Sequence, residues 1–175
     1  MANWSLISNT IKAGTNSAST TTDPISTIGS NLIIVSVHFL ISSLPTITDS
    51  SSNATWTTSP QYFDTNVTSS SILGMWYIIN PITSASHTFT AARAGTNYFA
   101  AVSVAAFATA GTSIASDQGS SVDSDTSEVS TINCGAILPT SNNELLYVIL
   151  GSAGTSSPAP ASFILNPGTV LDSTP

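Results

Sequence analysis

Positive charge is almost missing from this chain. Lys12 and Arg93 are its only basic residues among 175, against nine acidic ones, for a net charge of -7. A nucleic-acid backbone is bound by clustered cations that displace condensed counterions, and an anionic membrane surface by a polybasic patch. Two isolated cations supply neither, so no nucleic acid is expected as a partner. Cysteine is nearly absent too. Cys134 stands alone, which excludes an internal disulfide framework and leaves a small, buried apolar side chain as its reading. No apolar run reaches the length of about 18 residues needed for a membrane span. The opening "MANWSLISNT" lacks the basic and apolar regions of a secretory signal. The expectation is therefore exit by another route, such as lysis, or a signal removed before residue 1.

Charged residues make up only 6% of the chain, against roughly 25% in an ordinary soluble domain. Serine and threonine fill about a third of it instead, while 41% is hydrophobic. That is too apolar for a disordered chain, and it suits a sheet, where threonine packs well on a pleated face. The length fits one domain, 1–175, with a substantial core.

The apolar residues alternate with period two. In "NLIIVSVHFLIS", Ile33, Val35, Val37, Phe39 and Ile41 share one face, while Ser36, His38 and Ser42 share the other. This predicts a long strand buried mainly on one side. In "SSILGMWYIIN" both faces are apolar, which predicts a central strand, with Gly74 as a bulge or close backbone approach. Further strands are predicted at 97–108 and 143–152. Shorter ones are expected at 4–11, 55–58, 86–91, 129–133 and 162–165. Prolines 24, 45, 60, 81, 139 and 158 punctuate these runs. Eight or more strands without a helix predict an all-β, antiparallel β-sandwich with jelly-roll-like closure.

The stretch "TITDSSSNATWTTS", residues 46–59, admits a cation loop, a glycosylation site or a strand corner. Calcium needs several converging oxygen ligands, and Asp49 and Asn53 offer two. The sequons at Asn3, Asn53 and Asn66 arise easily in a chain so rich in Ser and Thr. The corner is the reading that the residues favour: Asp49 forms an Asx-type turn, the serines bridge, Asn53 opens the next strand, and Trp56 anchors the core or a sheet edge.

Four segments, "SNLIIVSVHFLISSLPTITDSSSNATWT", "ILGMWYIINPITSASHTFTA", "YFAAVSVAAFATAGTSIASDQG" and "GAILPTSNNELLYVIL", carry a resemblance over nearly the whole chain. It resembles the uncharacterised jelly-roll-like β-sandwich domains of phage structural proteins and bacterial surface proteins. The matching points are the Asp-x-x-x-Asn corner before Thr-Trp-Thr, the aromatic strand ending in Asn-Pro, and "HTFT". Two features depart from the pattern. The strand "VSVAAFATAG" lacks an acidic residue found there in such domains, and they carry one or two more strands after the segment matching "SFILNPGTVLDSTP". The resemblance thus implies a closing C-terminal strand that is absent or donated by a neighbouring molecule.

Chemistry-bearing constellations are sparse, and no cofactor motif is present. His38 and His87 have serines near them by abundance alone, and no Gly-x-Ser-x-Gly stretch marks a nucleophile. Glu128 and Glu144, the only glutamates, make a thin basis for glycoside cleavage. Asp117, Asp123, Asp125 and Glu128 crowd one connection, which reads first as a solvated acidic loop and alternatively as a calcium site. Most aromatic rings belong in a core. Tyr62 and Phe63, in "SPQYFDTN", are the candidates for an exposed sugar-stacking surface, and Trp4 for docking on a partner.

The leading expectation is a non-enzymatic structural module, extracellular or on a virion surface, bound to copies of itself or to neighbouring virion or filament proteins. A carbohydrate- or receptor-binding module that engages a surface glycan is the alternative, and a hydrolase stands third.

Overall fold

The computed structural model describes residues 4–13, 18–40, 44–53, 55–58, 71–92, 100–111, 113–117 and 144–149. They form eight strands: β1 (Trp4–Ala13), β2 (Ser19–Thr21), β3 (Leu32–Leu40), β4 (Thr46–Asp49), β5 (Thr57–Thr58), β6 (Ser71–Ile79), β7 (Phe89–Ala92) and β8 (Ala100–Thr109). Every pairing is antiparallel. A five-stranded sheet runs β1-β8-β3-β6-β5, and a three-stranded sheet runs β2-β7-β4. The architecture is the predicted all-β sandwich. Neither the predicted strands at 129–133 and 162–165 nor the question of a closing strand falls within the described residues.

The period-two pattern explains the main core. Ile33, Val35 and Val37 of β3 point between the sheets, as do Trp76, Val102, Val104 and Ala106. They meet Ile47, Phe89 and Ala91 of the smaller sheet. Each fully buried large apolar side chain stabilises the fold by about 1.5–3 kcal/mol relative to exposure.

The other face of the five-stranded sheet is covered along its central strands as well. Leu32, Ile34, Ala105 and Phe107 form a second cluster, flanked by Trp4, Met75, Tyr77, Ile79, Ile114, Leu145 and Tyr147. This corrects the one-sided reading of β3, whose even-numbered Leu32, Ile34 and Ser36 are also buried. The strand lies between β8 and β6 with cover on both sides, so alternation in sequence did not mean alternation in exposure.

Two further expectations change. The ladder passes through Gly74, opposite Val37, without interruption; the register shift occurs in β1, between Leu6 and Ser8. Residues 144–149, predicted as part of a strand, pair with none of the eight strands. They lay Leu145 and Tyr147 on the outer cluster, while Leu146 faces solvent. Apolar alternation records two-sided burial, which packing across a sheet face satisfies as well as a ladder does.

Candidate functional site

At one end of the sandwich the chain turns through the 46–59 stretch. Asp49, the last residue of β4, accepts a hydrogen bond at Oδ1 from the Ser51 amide at 2.8 Å, which is an Asx turn. The Ser52 amide donates to the Asp49 carbonyl at 3.3 Å, and Ser52 takes a left-handed φ of 60°. The corner reading of this stretch is correct, although the next strand, β5, begins only at Thr57.

The corner is also a hub. Oδ1 of Asp49 further accepts from the Asn53 amide at 3.3 Å and from Asn53 Nδ2 at 3.1 Å. Nε2 of His87 lies 2.9 Å from the same oxygen. Oδ2 accepts from Trp56 Nε1 at 3.2 Å. The side chains of Asp49 and His87 are both 0% exposed. With the carboxylate as acceptor, Nε2 carries the imidazole proton and Nδ1 turns to Thr27 Oγ1, 2.9 Å away.

Thr27, itself 0% exposed, completes the chain of bonds. Its hydroxyl accepts from the Ser84 amide at 3.0 Å. The hydroxyl hydrogen can reach either Nδ1 at 2.9 Å or the Ser84 carbonyl at 3.3 Å. Oγ1 thus lies within hydrogen-bond distance of the ring and of both backbone groups of Ser84. The imidazole stacks on Phe89, with centroids 4.3 Å apart and planes at 27°. Trp56 meets the edge of that same phenyl ring, centroids 6.0 Å apart.

Local sequence explains how these groups converge. Thr27 starts a tight turn closed by the Ser30 amide on the Thr27 carbonyl at 3.0 Å. Gly29, at φ +86°, takes the third position, as a type II turn requires. His87 precedes β7 by two residues and forms a lone bridge with Ile25. Period two then puts His87, Phe89 and Ala91 on one inward face, all buried.

Hydroxyl, imidazole and carboxylate in a row invite comparison with a hydrolytic triad. The order at the ring differs. Here the carboxylate sits on Nε2 and the hydroxyl on Nδ1, whereas the hydrolytic arrangement has the carboxylate orient Nδ1 and the nucleophile approach Nε2. More decisively, all three side chains are shut off from solvent, and the hydroxyl is held by the Ser84 backbone. The arrangement is built to join loops. Nor is it suited to a cation, since N–H groups already occupy both carboxylate oxygens.

The residues singled out from sequence are scattered by comparison. Asp117 is exposed beyond β8, while Asp123, Asp125 and Glu128 lie outside the described residues, as do Tyr62 and Phe63. No group of three or more His, Cys, Asp or Glu side chains gathers among the described residues. Trp4 opens β1 and packs, half-buried, against the outer cluster. His38 lies on the face of Ser36, and burial lowers its pKa from the ordinary value. The Thr27–His87–Asp49 network was not foreseen. Its one legible signal is His87 in step with Phe89 and Ala91, which marks an inward-facing histidine that must find partners. No family model, curated protein or solved structure matches the chain.

Proposed function

We propose that this chain is a non-enzymatic structural module of an extracellular or virion assembly, such as a capsid-decoration, fibre or tail component or the subunit of a self-assembling filament. The observation that carries this reading is the burial of the Thr27–His87–Asp49 network. The most elaborate polar constellation among the described residues is committed to fixing loops and presents nothing to a substrate. Low charge and an abundance of hydroxyls support the same reading, because they suit a surface held among many neighbours.

The test is solution mass, measured by light scattering across a concentration series. Rings, trimers or growing polymers are expected. A monomer at every concentration would overturn self-assembly as the role. Hydrolysis of an activated ester that disappears in both Thr27→Val and His87→Gln would overturn the non-enzymatic part.

A further inference from the structure

Asn53 heads the sequon Asn53-Ala54-Thr55, and its side chain is where the corner grips the loop between β6 and β7. Oδ1 accepts from the Ile82 amide at 2.7 Å, and Nδ2 donates to the Ile82 carbonyl at 3.1 Å. The two contacts imitate a hydrogen-bonded pair of an antiparallel ladder. An amide nitrogen has two hydrogens. The other one of Asn53 goes to Asp49 Oδ1, also at 3.1 Å. Asp49 is 0% exposed and already joined to His87. Both hydrogens of the acceptor amide are therefore engaged, one toward the loop and one toward the interior.

Attachment of an N-glycan needs one of those hydrogens. In the transfer from a lipid-linked pyrophosphate oligosaccharide, Nδ2 bonds to the anomeric carbon of the sugar and gives up a proton. The bond from that carbon to the pyrophosphate oxygen breaks, and the lipid pyrophosphate leaves with its electron pair. The new carbon stands about 1.5 Å from the nitrogen, part-way along either of the two contacts that Nδ2 makes. A carbon and a non-bonded oxygen approach no closer than about 3.3 Å. On one side the oxygen of Asp49 occupies the place that the sugar needs, and on the other the carbonyl of Ile82 does. Turning the side chain outward relieves the clash but gives up the contacts to Asp49 and Ile82 together. The buried carboxylate then loses an N–H partner.

We infer that Asn53 is closed to N-glycosylation in the folded chain, and that a sugar at this position and the folded corner exclude each other. The block lies at the acceptor nitrogen, since Thr55, the third residue of the sequon, is exposed. This geometry is independent of the assembly reading. It adds a condition to that reading: a chain that meets an N-glycosylating enzyme before the corner has folded acquires an obstacle to folding at Asn53.

The test offers a purified oligosaccharyltransferase and its lipid-linked donor two acceptors, the folded full chain and a synthetic peptide spanning residues 47–58. Modification at Asn53 is read by mass spectrometry of the digested products. The folded chain should react about tenfold or more slower than the peptide, because only transient opening of the corner frees the nitrogen. Equal rates, with the denaturation midpoint of the modified chain unmoved, would overturn the inference. A second arm sends the full chain through a yeast secretory pathway, as wild type and as Thr55→Ala. That substitution deletes the sequon and leaves the Asn53 side chain in place. Sugar at Asn53 should be confined to retained, protease-sensitive wild-type chains. Secreted wild type that carries sugar at Asn53 and unfolds at the midpoint of Thr55→Ala would overturn the inference as well.

Discussion

The central strands of the five-stranded sheet are covered on both faces, but the two faces are held by different means. On the inner side, apolar residues of β3, β6 and β8 meet the smaller sheet, and the dry interface continues into the hydrogen-bonded set of Asp49, His87, Thr27 and Trp56. On the outer side, Leu32, Ile34 and Phe107 are covered largely by contact with half-buried apolar groups, among them Leu145 and Tyr147. Ser36 Oγ reaches Tyr147 OH across that cover at 3.4 Å, a long contact. Apolar contact is tolerant of small shifts, whereas a saturated carboxylate in a dry interior admits one arrangement. The inner face therefore defines the loops at that end of the sandwich, and the outer face contributes bulk stability.

Removing the hub should produce the largest effect. Asp49→Ala strands the Ser51 and Asn53 amides, Asn53 Nδ2, Trp56 Nε1 and His87 Nε2 in or near the interior. A loss of about 4–5 kcal/mol is expected from denaturant unfolding. The outer counterpart is Phe107→Ala. It removes a ring that meets Tyr147 edge-on at 6.1 Å and should cost about 3–4 kcal/mol. If Phe107→Ala proves the costlier of the two, the outer cover and not the network is the principal constraint on the fold.

The unequal legibility of the two faces has the same origin. Alternation in 32–40 and 71–79 revealed strands and their apolar faces because burial of side chains is a local, period-two property. The turn at Asp49 was legible because Asx turns are made by residues close in sequence. The network was not. Thr27, Asp49 and His87 are brought together by pairing between distant segments, and a threonine before Ile-Gly carries no mark of a buried hydroxyl. The strand β2, "STT", was missed for a related reason: a hydroxyl-rich triplet reads as loop until β7 pairs with it. Residues 144–149 failed in the opposite direction, since their alternation was real but served packing across a face.

Two buried threonines sharpen the comparison within the inner side. Thr27 Oγ1 has partners on both sides, whereas Thr20 Oγ1 is buried with no hydrogen-bond partner among the described residues. Valine has the same shape as threonine and the same liking for strands. Thr27→Val should therefore cost about 2 kcal/mol by orphaning the Ser84 amide and His87 Nδ1. Thr20→Val should raise stability by about 1 kcal/mol, because it deletes a desolvated hydroxyl that gains nothing from the fold. Thermal midpoints of the two variants should move in opposite directions. Equal losses would mean that hydroxyl burial, and not the network, governs this side.

The smallest effect concerns the two histidines, one on each side of the sheet. His87 is enclosed by Asp49 and Thr27. His38, on the outer side with Ser36, has its pKa lowered from 6.5, and the cause is desolvation by burial. The folded state thus disfavours the imidazolium of His38, and the unfolded chain binds more protons between the two values. Its contribution to stability is complete above the unfolded value of about 6.5 and is lost as pH falls from there through the folded value. His38→Asn removes this linkage while leaving His87 in place. Between about pH 7.5 and pH 5, across which an ordinary histidine titrates, wild-type stability in urea should fall more steeply than that of His38→Asn. Parallel curves would mean that the outer histidine adds no acid sensitivity, and that any loss common to both arises from groups they share.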